Sequence, residues 1–180
     1  MKNCIVFHTT EQLKDWQIAN YSTSQISSLC EAVNNMDNPL SYYKGEGSKA
    51  MNRYLRKLLN DDDVKEMTYK LQELINQYVT NDNFIVYRFV KLQELKVLLK
   101  STFCKKIYIV PGFLSTTFLP ALYSMEDIKK ASIRIKIIVP KDTHGICIPE
   151  VNPDSPEYEW LMPYGMKLKR LSLKTYIVVP

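Results

Sequence analysis

Histidine is almost missing from this chain: His8 and His144 lie far apart without ligand-like spacing, and no metal site is expected. The four cysteines, Cys4, Cys30, Cys104 and Cys147, form no Cys-x-x-Cys pair and sit in apolar surroundings. They read as free structural thiols made in a reducing compartment. No apolar run approaches the roughly 20 residues that span a bilayer, so no membrane is expected among the partners. The first eight residues carry one charge and a short apolar patch followed at once by Thr9, Thr10, Glu11 and Gln12. That pattern is not a secretory signal. There is no internal repeat, low-complexity tract or interdomain linker. The net charge of +5 is mild; it suits an anionic ligand or partner and does not argue for nucleic acid.

What is present is ordinary for one globular domain spanning residues 1–180: 46% hydrophobic and 24% charged residues, enough to bury a core. The first part, residues 1–80, reads as mainly helical. Thr9 to Gln12 can cap a helix through about Ala19, and a second runs from about Ser24 to Asn34. A turn is expected at Asn38-Pro39. A two-glycine bend, Gly45 and Gly47, leads into a helix over Lys49 to Leu59. Asp61 to Asp63 opens another that runs to about Val79. The period then changes, and residues 81–180 read as mainly β. Strands are expected over 83–90, 107–110, 113–118, 132–139, 144–148, 157–162 and 166–179, with a short helix over 91–100. Helices first and antiparallel-looking strands after give an α+β fold.

Three strands carry candidate chemistry. Pro156 to Pro163 contains Glu157 and Glu159, which strand alternation sets on one face. Two adjacent carboxylates are awkward in a half-buried strand, although a Glu-x-Glu pair alone usually marks a solvated edge. Arg88 places a fixed cation inside the apolar strand Tyr87-Arg88-Phe89, where it is either a snorkelling residue or a bidentate phosphate ligand. Pro111 to Phe118 carries Ser115, Thr116 and Thr117, with Ser115 and Thr117 on one face; Thr-rich strand packing explains it equally well.

In this order the three motifs resemble the Arg–Ser–Glu class of mono-ADP-ribosyltransferases, to which the enzyme components of clostridial binary toxins belong. Met51-Asn52-Arg53-Tyr54-Leu55-Arg56 is similar to that family's Asn-x-x-Leu-Arg helix. Residues 137–148 are similar to the strand–turn–strand before its substrate loop, and residues 161–169 to the strand pair after its catalytic glutamate. The likeness covers about residues 41–180, with two departures. Thr117 stands where the family usually has Ser, and the loop Pro149 to Pro156 lacks an aromatic that many relatives carry.

The resemblance implies N-terminal helices on a split β-sandwich of two perpendicular sheets, with NAD as co-substrate in the cleft and no metal. It implies Glu159 as the catalytic carboxylate, Ser115 positioning it, and Glu157 facing the acceptor. Arg88, Arg56, Asn52, Tyr87, Gly112, Phe113, Ser115, Thr116, Thr117, Glu159 and, more weakly, Arg134 would hold NAD. Because position 157 is Glu rather than Gln, the resemblance implies an arginine acceptor on a protein, met through the loop Pro149 to Pro156. The readings left open are another acceptor (a side chain, a base or water) and a non-enzymatic binding module. A secreted effector, a toxin fragment and a phage-encoded enzyme all fit, each acting in a cytosol.

Overall fold

The computed structural model describes residues 4–120, 133–148 and 158–180. The helical part holds α1 (Thr10–Asn20), α2 (Thr23–Asn34), α3 (Pro39–Tyr42), α4 (Ser48–Leu55) and α5 (Asp62–Asn76). Local chemistry sets these boundaries. Thr9 and Ser22 cap α1 and α2 through their side-chain oxygens, and Gln25 completes a capping box with Ser22. Asn38 caps α3, and Pro39 occupies its first turn, so the Asn-Pro pair expected to make a turn starts a helix instead. A kinked turn, Tyr43–Gly47, with Gly45 in a non-helical conformation, joins α3 to α4. Helix α4 stops at Leu55, earlier than the apolar stripe predicts, because Lys57 takes a left-handed conformation with φ 58°.

The β part holds β1 (Phe84–Val90), β2 (Ile107–Ile109), β3 (Leu114–Thr117), β4 (Ile133–Val139), β5 (Ile146–Cys147), β6 (Glu159–Met162), β7 (Lys167–Ser172) and β8 (Thr175–Val179), with α6 (Leu92–Ser101) after β1. Their order is β2-β7-β8-β4-β1-β3-β6-β5. The two sheets expected from the resemblance are two limbs of this one array: β1 meets β3 at the single pair Tyr87–Thr117. All neighbours run antiparallel except β4 and β8, which are parallel. The segment expected as one bent strand over 166–179 is the hairpin β7–β8, with a register shift between Arg170 and Ser172.

An aromatic cluster locks the limbs to the helices. Trp160 of β6 packs edge-on against Phe84 of β1 at 5.0 Å and lies 5.9 Å from Phe118, while Trp16 of α1 reaches both Phe84 and Trp160. Trp160 is fully buried, and such a ring is worth about 3–5 kcal/mol against alanine. A Cβ at Gly145 would collide with the Trp160 indole, so glycine is required where the β4–β5 turn crosses it. This packing fixes the start of β6, where Glu159 sits. Among the cysteines, Cys147 is buried in this core, and burial pushes its thiol up to about 12. All four cysteines are free, but only Cys147 is buried; Cys4 and Cys30 are half-buried and Cys104 is exposed, so the apolar surroundings expected for all four do not hold at Cys104.

Candidate active site

Glu159 opens β6 with only 7% of its side chain exposed. It lies directly across from Thr117, and Ser115 lies across from Leu161. Opposite residues share a sheet face, so Ser115, Thr117 and Glu159 are on one side, as alternation predicts. The diagonal from Ser115 to Glu159 spans about 7–8 Å between Cα atoms, however, against about 5 Å for the direct pair. Among the described residues Ser115 Oγ has no hydrogen-bond partner. The expected Ser115–Glu159 bond is therefore not formed, and the hydroxyl is open to a ligand.

The partner that Glu159 does have comes from the helical part. Lys44 Nζ lies 3.2 Å from Glu159 Oε2, delivered by the kinked turn between α3 and α4. The turn needs its glycine at 47, where a Cβ would strike the Tyr42 ring. Tyr43, next in the turn, is buried; burial first, then the nearby Glu159 charge, push its hydroxyl far above the usual tyrosine range, against the opposing pull of Arg88 and a hydrogen bond with Asn52. It stays a neutral hydroxyl that feels both the carboxylate and the cation.

Arg88, expected as a phosphate ligand, is held from two directions. Its Nη1 donates to the Ser115 carbonyl at 2.8 Å, across the junction of the limbs. Its Nε donates to Glu94 Oε1 at 3.1 Å, from the first turn of α6. A cavity of about 670 Å³ opens beside it, lined by Tyr87, Arg88, Lys91, Ser115 and Thr117 among others. A smaller one of about 270 Å³ shares Arg88 and adds Arg56, Tyr108 and Phe113. The two together match the size of a small-molecule cleft, and three cations (Arg56, Arg88 and Lys91) against the one carboxylate of Glu94 suit an anionic ligand.

Asn52 of α4 does a different job. Its Oδ1 accepts from the Phe113 amide at 2.9 Å, fixing the loop that leads into β3. A Cβ at Gly112 would fall on that oxygen, so this glycine permits the close approach. Thr116 faces the other side, and its hydroxyl donates to the Trp160 carbonyl at 2.8 Å, tying β3 to β6. Arg134 is exposed on β4 with its guanidinium 5.5 Å from the Tyr87 ring centre, and it is not among the cavity-lining residues. Tyr158 takes φ 39°, and β6 begins directly after it, at Glu159. Glu157 and the loop Pro149 to Pro156 lie outside the described residues.

Lys44, Glu94 and Lys91 were not found by sequence reasoning. Lys44 is 115 positions from Glu159 and carries no local signature. Glu94 could have been suspected: α6 follows the Arg88 strand after one residue, and an acid in its first turn lies near that arginine.

The model of the ADP-ribosyltransferase exoenzyme family matches residues 14–176. The chain belongs to the ADP-ribosyltransferase exoenzyme family. No curated protein sequence matches it. Solved structures agree on the fold. Staphylococcus aureus C3stau2, solved with NAD, shares 18% identity at a TM-score of 0.66, covering 98% of this chain and 99% of that one. An ADP-ribosyltransferase from Clostridium botulinum gives 18% identity and a TM-score of 0.70, with 98% of this chain and 97% of that one covered. Clostridium perfringens BECa, the ADP-ribosylating toxin of a binary enterotoxin, solved with NADH, gives 19% and 0.70; the match takes in 98% of this chain but 49% of BECa. Among the described residues no group of His, Cys, Asp and Glu could hold a metal ion, and no helix is long and apolar enough to cross a membrane.

Proposed function

We propose that this exoenzyme-family chain transfers ADP-ribose from NAD to an arginine side chain of a protein, releasing nicotinamide. The observation that supports it most is the buried Glu159 carboxylate on the same sheet face as Ser115 and Thr117, one ladder pair from a cation-lined cavity headed by Arg88. Nicotinamide leaves NAD as a neutral base, so no acid is needed to protonate it. The ribose becomes oxocarbenium-like, and a hydrogen bond to its 2-hydroxyl strengthens as that charge develops. A carboxylate held there stabilises the transition state more than the ground state. Glu159 supplies it, and Lys44 on Oε2 would leave Oε1 for the ribose. Arg88 and Arg56 would bind the pyrophosphate, and Ser115 Oγ is free to hydrogen-bond the nicotinamide ribose side.

The acceptor reading rests on Glu157. A guanidinium has a pKa above about 12 and must shed a proton as it attacks, which a neighbouring carboxylate can take. The test is nicotinamide release and label transfer from labelled NAD, with and without agmatine. Labelled agmatine is the expected result. Label on lysate proteins with none on agmatine rejects arginine, and no nicotinamide release from either rejects the transferase.

Two substitutions probe the groups around this site. Arg88→Lys keeps the charge but cannot hold the Ser115 carbonyl, Glu94 and a phosphate at once. NAD affinity by calorimetry is expected to fall by about 1.5–3 kcal/mol, the usual worth of a charged hydrogen bond; an unchanged dissociation constant removes Arg88 from the site. Lys44→Met leaves the buried Glu159 charge without its partner. The expected result is a fall in kcat of about tenfold or more with KM for NAD little changed, because Lys44 orients the carboxylate and does not hold the cofactor. Lys44→Arg should recover most of the rate. Equal loss in both parameters would place Lys44 against NAD itself.

A further inference from the structure

One corner of the molecule, through side chains that line neither cavity beside Arg88, is both apolar and basic. Phe103 is 65% exposed just after α6, Ile107 and Ile109 are 49% and 60% exposed on the edge strand β2, and Leu171 and Leu173 are 43% and 61% exposed at the β7–β8 turn. Register brings them together. Ile107 pairs with Lys169 and Ile109 with Lys167, so the chain just before β2, including Phe103 and Lys106, runs past the end of β7 and the hairpin tip. Large apolar side chains exposed in one neighbourhood of a soluble domain signal an interaction surface.

The charge at this corner is of one sign. Residues 95–120 and 160–180 each carry four cations and no Asp or Glu. Lys106, Lys169 and Lys174 are exposed, and among the described residues none of them forms an ion pair with an Asp or Glu. Lys167 is exposed as well, its Nζ donating to the Pro180 oxygen at 3.0 Å. The apolar groups project from a helix end, an edge strand and a turn tip, with lysines beside each.

We propose that this corner docks the enzyme peripherally on an anionic lipid bilayer, with Phe103, Leu171 and Leu173 entering the headgroup–acyl boundary and the lysines facing the lipid phosphates and carboxylates. Shallow insertion of a few apolar side chains plus attraction between a basic patch and anionic headgroups is the combination that holds surface-bound proteins. The sequence expectation of no membrane rested on the absence of a spanning helix, which such docking does not need. Phe103, Leu171, Leu173 and the lysines line neither cavity beside Arg88, so docking through them would leave Arg88, Ser115 and Glu159 unaltered.

The experiment is co-sedimentation of the whole chain with vesicles of phosphatidylcholine alone and of phosphatidylcholine with about one-third phosphatidylserine. Binding is expected to the mixed vesicles only, and to weaken as salt shortens the screening length. Lys169→Glu with Lys174→Glu should reduce it by at least about 20-fold, since each cation near the surface is worth about fivefold. Leu171→Gln with Leu173→Gln should reduce it by about tenfold. Circular dichroism and nicotinamide release, both expected to be unchanged, show that the variants fold. The proposal is overturned by no binding to mixed vesicles or by equal binding to neutral ones. It is also overturned if the leucine variant binds like wild type while soluble polyaspartate strips the protein off, which marks a surface for acidic polypeptides.

Discussion

Glu159→Gln is expected to lower nicotinamide release from NAD by about 100- to 1,000-fold, both with an acceptor and with water alone, while NAD still binds. The amide has the shape of the carboxylate but no charge, and the charge is what the oxocarbenium-like ribose needs. The site magnifies the difference. Only 7% of the Glu159 side chain is exposed, so water screens its field poorly. Its neighbours Thr117 and Tyr43 are buried, and neither bears a negative charge that could substitute. The substitution also replaces the Lys44–Glu159 ion pair by a contact with a neutral amide, which costs stability. Thermal melts in parallel with single-turnover kinetics separate the two effects. A folded Glu159→Gln variant that releases nicotinamide at the wild-type rate would remove Glu159 from the chemistry altogether.

The parts of this molecule legible in the sequence are those set by local signals. A cap placed α1 and an apolar stripe placed α2, each to within a residue or two, and strand-like runs placed β1 and β4. Alternation set Ser115 and Thr117 on one face of β3, and register put Glu159 on that face as well. What sequence alone missed depends on contacts between distant segments. The Lys44–Glu159 pair joins residues 115 positions apart, and its geometry comes from a kinked turn that two glycines permit but do not announce. The parallel contact of β4 with β8 and the single-pair junction of β1 with β3 are settled by how the whole sheet closes. Tyr158 shows where the pattern stops being informative. Its neighbours Trp160 and Leu161 favour a strand, so alternation predicted that Glu157 and Glu159 share a face. Tyr158 has a left-handed φ and precedes the strand, an outlier of the kind that tertiary contacts impose near functional sites, and Glu157 lies outside the described residues.

The last prediction rests on the different jobs assigned to the two glutamates and not on the face each occupies. Glu157→Gln is expected to abolish transfer to agmatine, by about 100-fold or more, the usual worth of a positioned proton acceptor. Slow hydrolysis of NAD by water should stay within about twofold of wild type. The reasoning is that water reaches the ribose without help, whereas an arginine must be oriented and deprotonated as it attacks. Each glutamine variant removes one charge and keeps the side-chain shape, so a folding defect common to both would appear as equal loss in both assays. Measuring nicotinamide release with and without agmatine, for wild type, Glu157→Gln and Glu159→Gln side by side, distinguishes the outcomes. Loss of hydrolysis in Glu157→Gln as complete as in Glu159→Gln would show that both carboxylates act on the ribose, and the division of labour would fall. Full agmatine labelling by Glu157→Gln would keep the transferase and reject Glu157 as the group that receives the acceptor's proton.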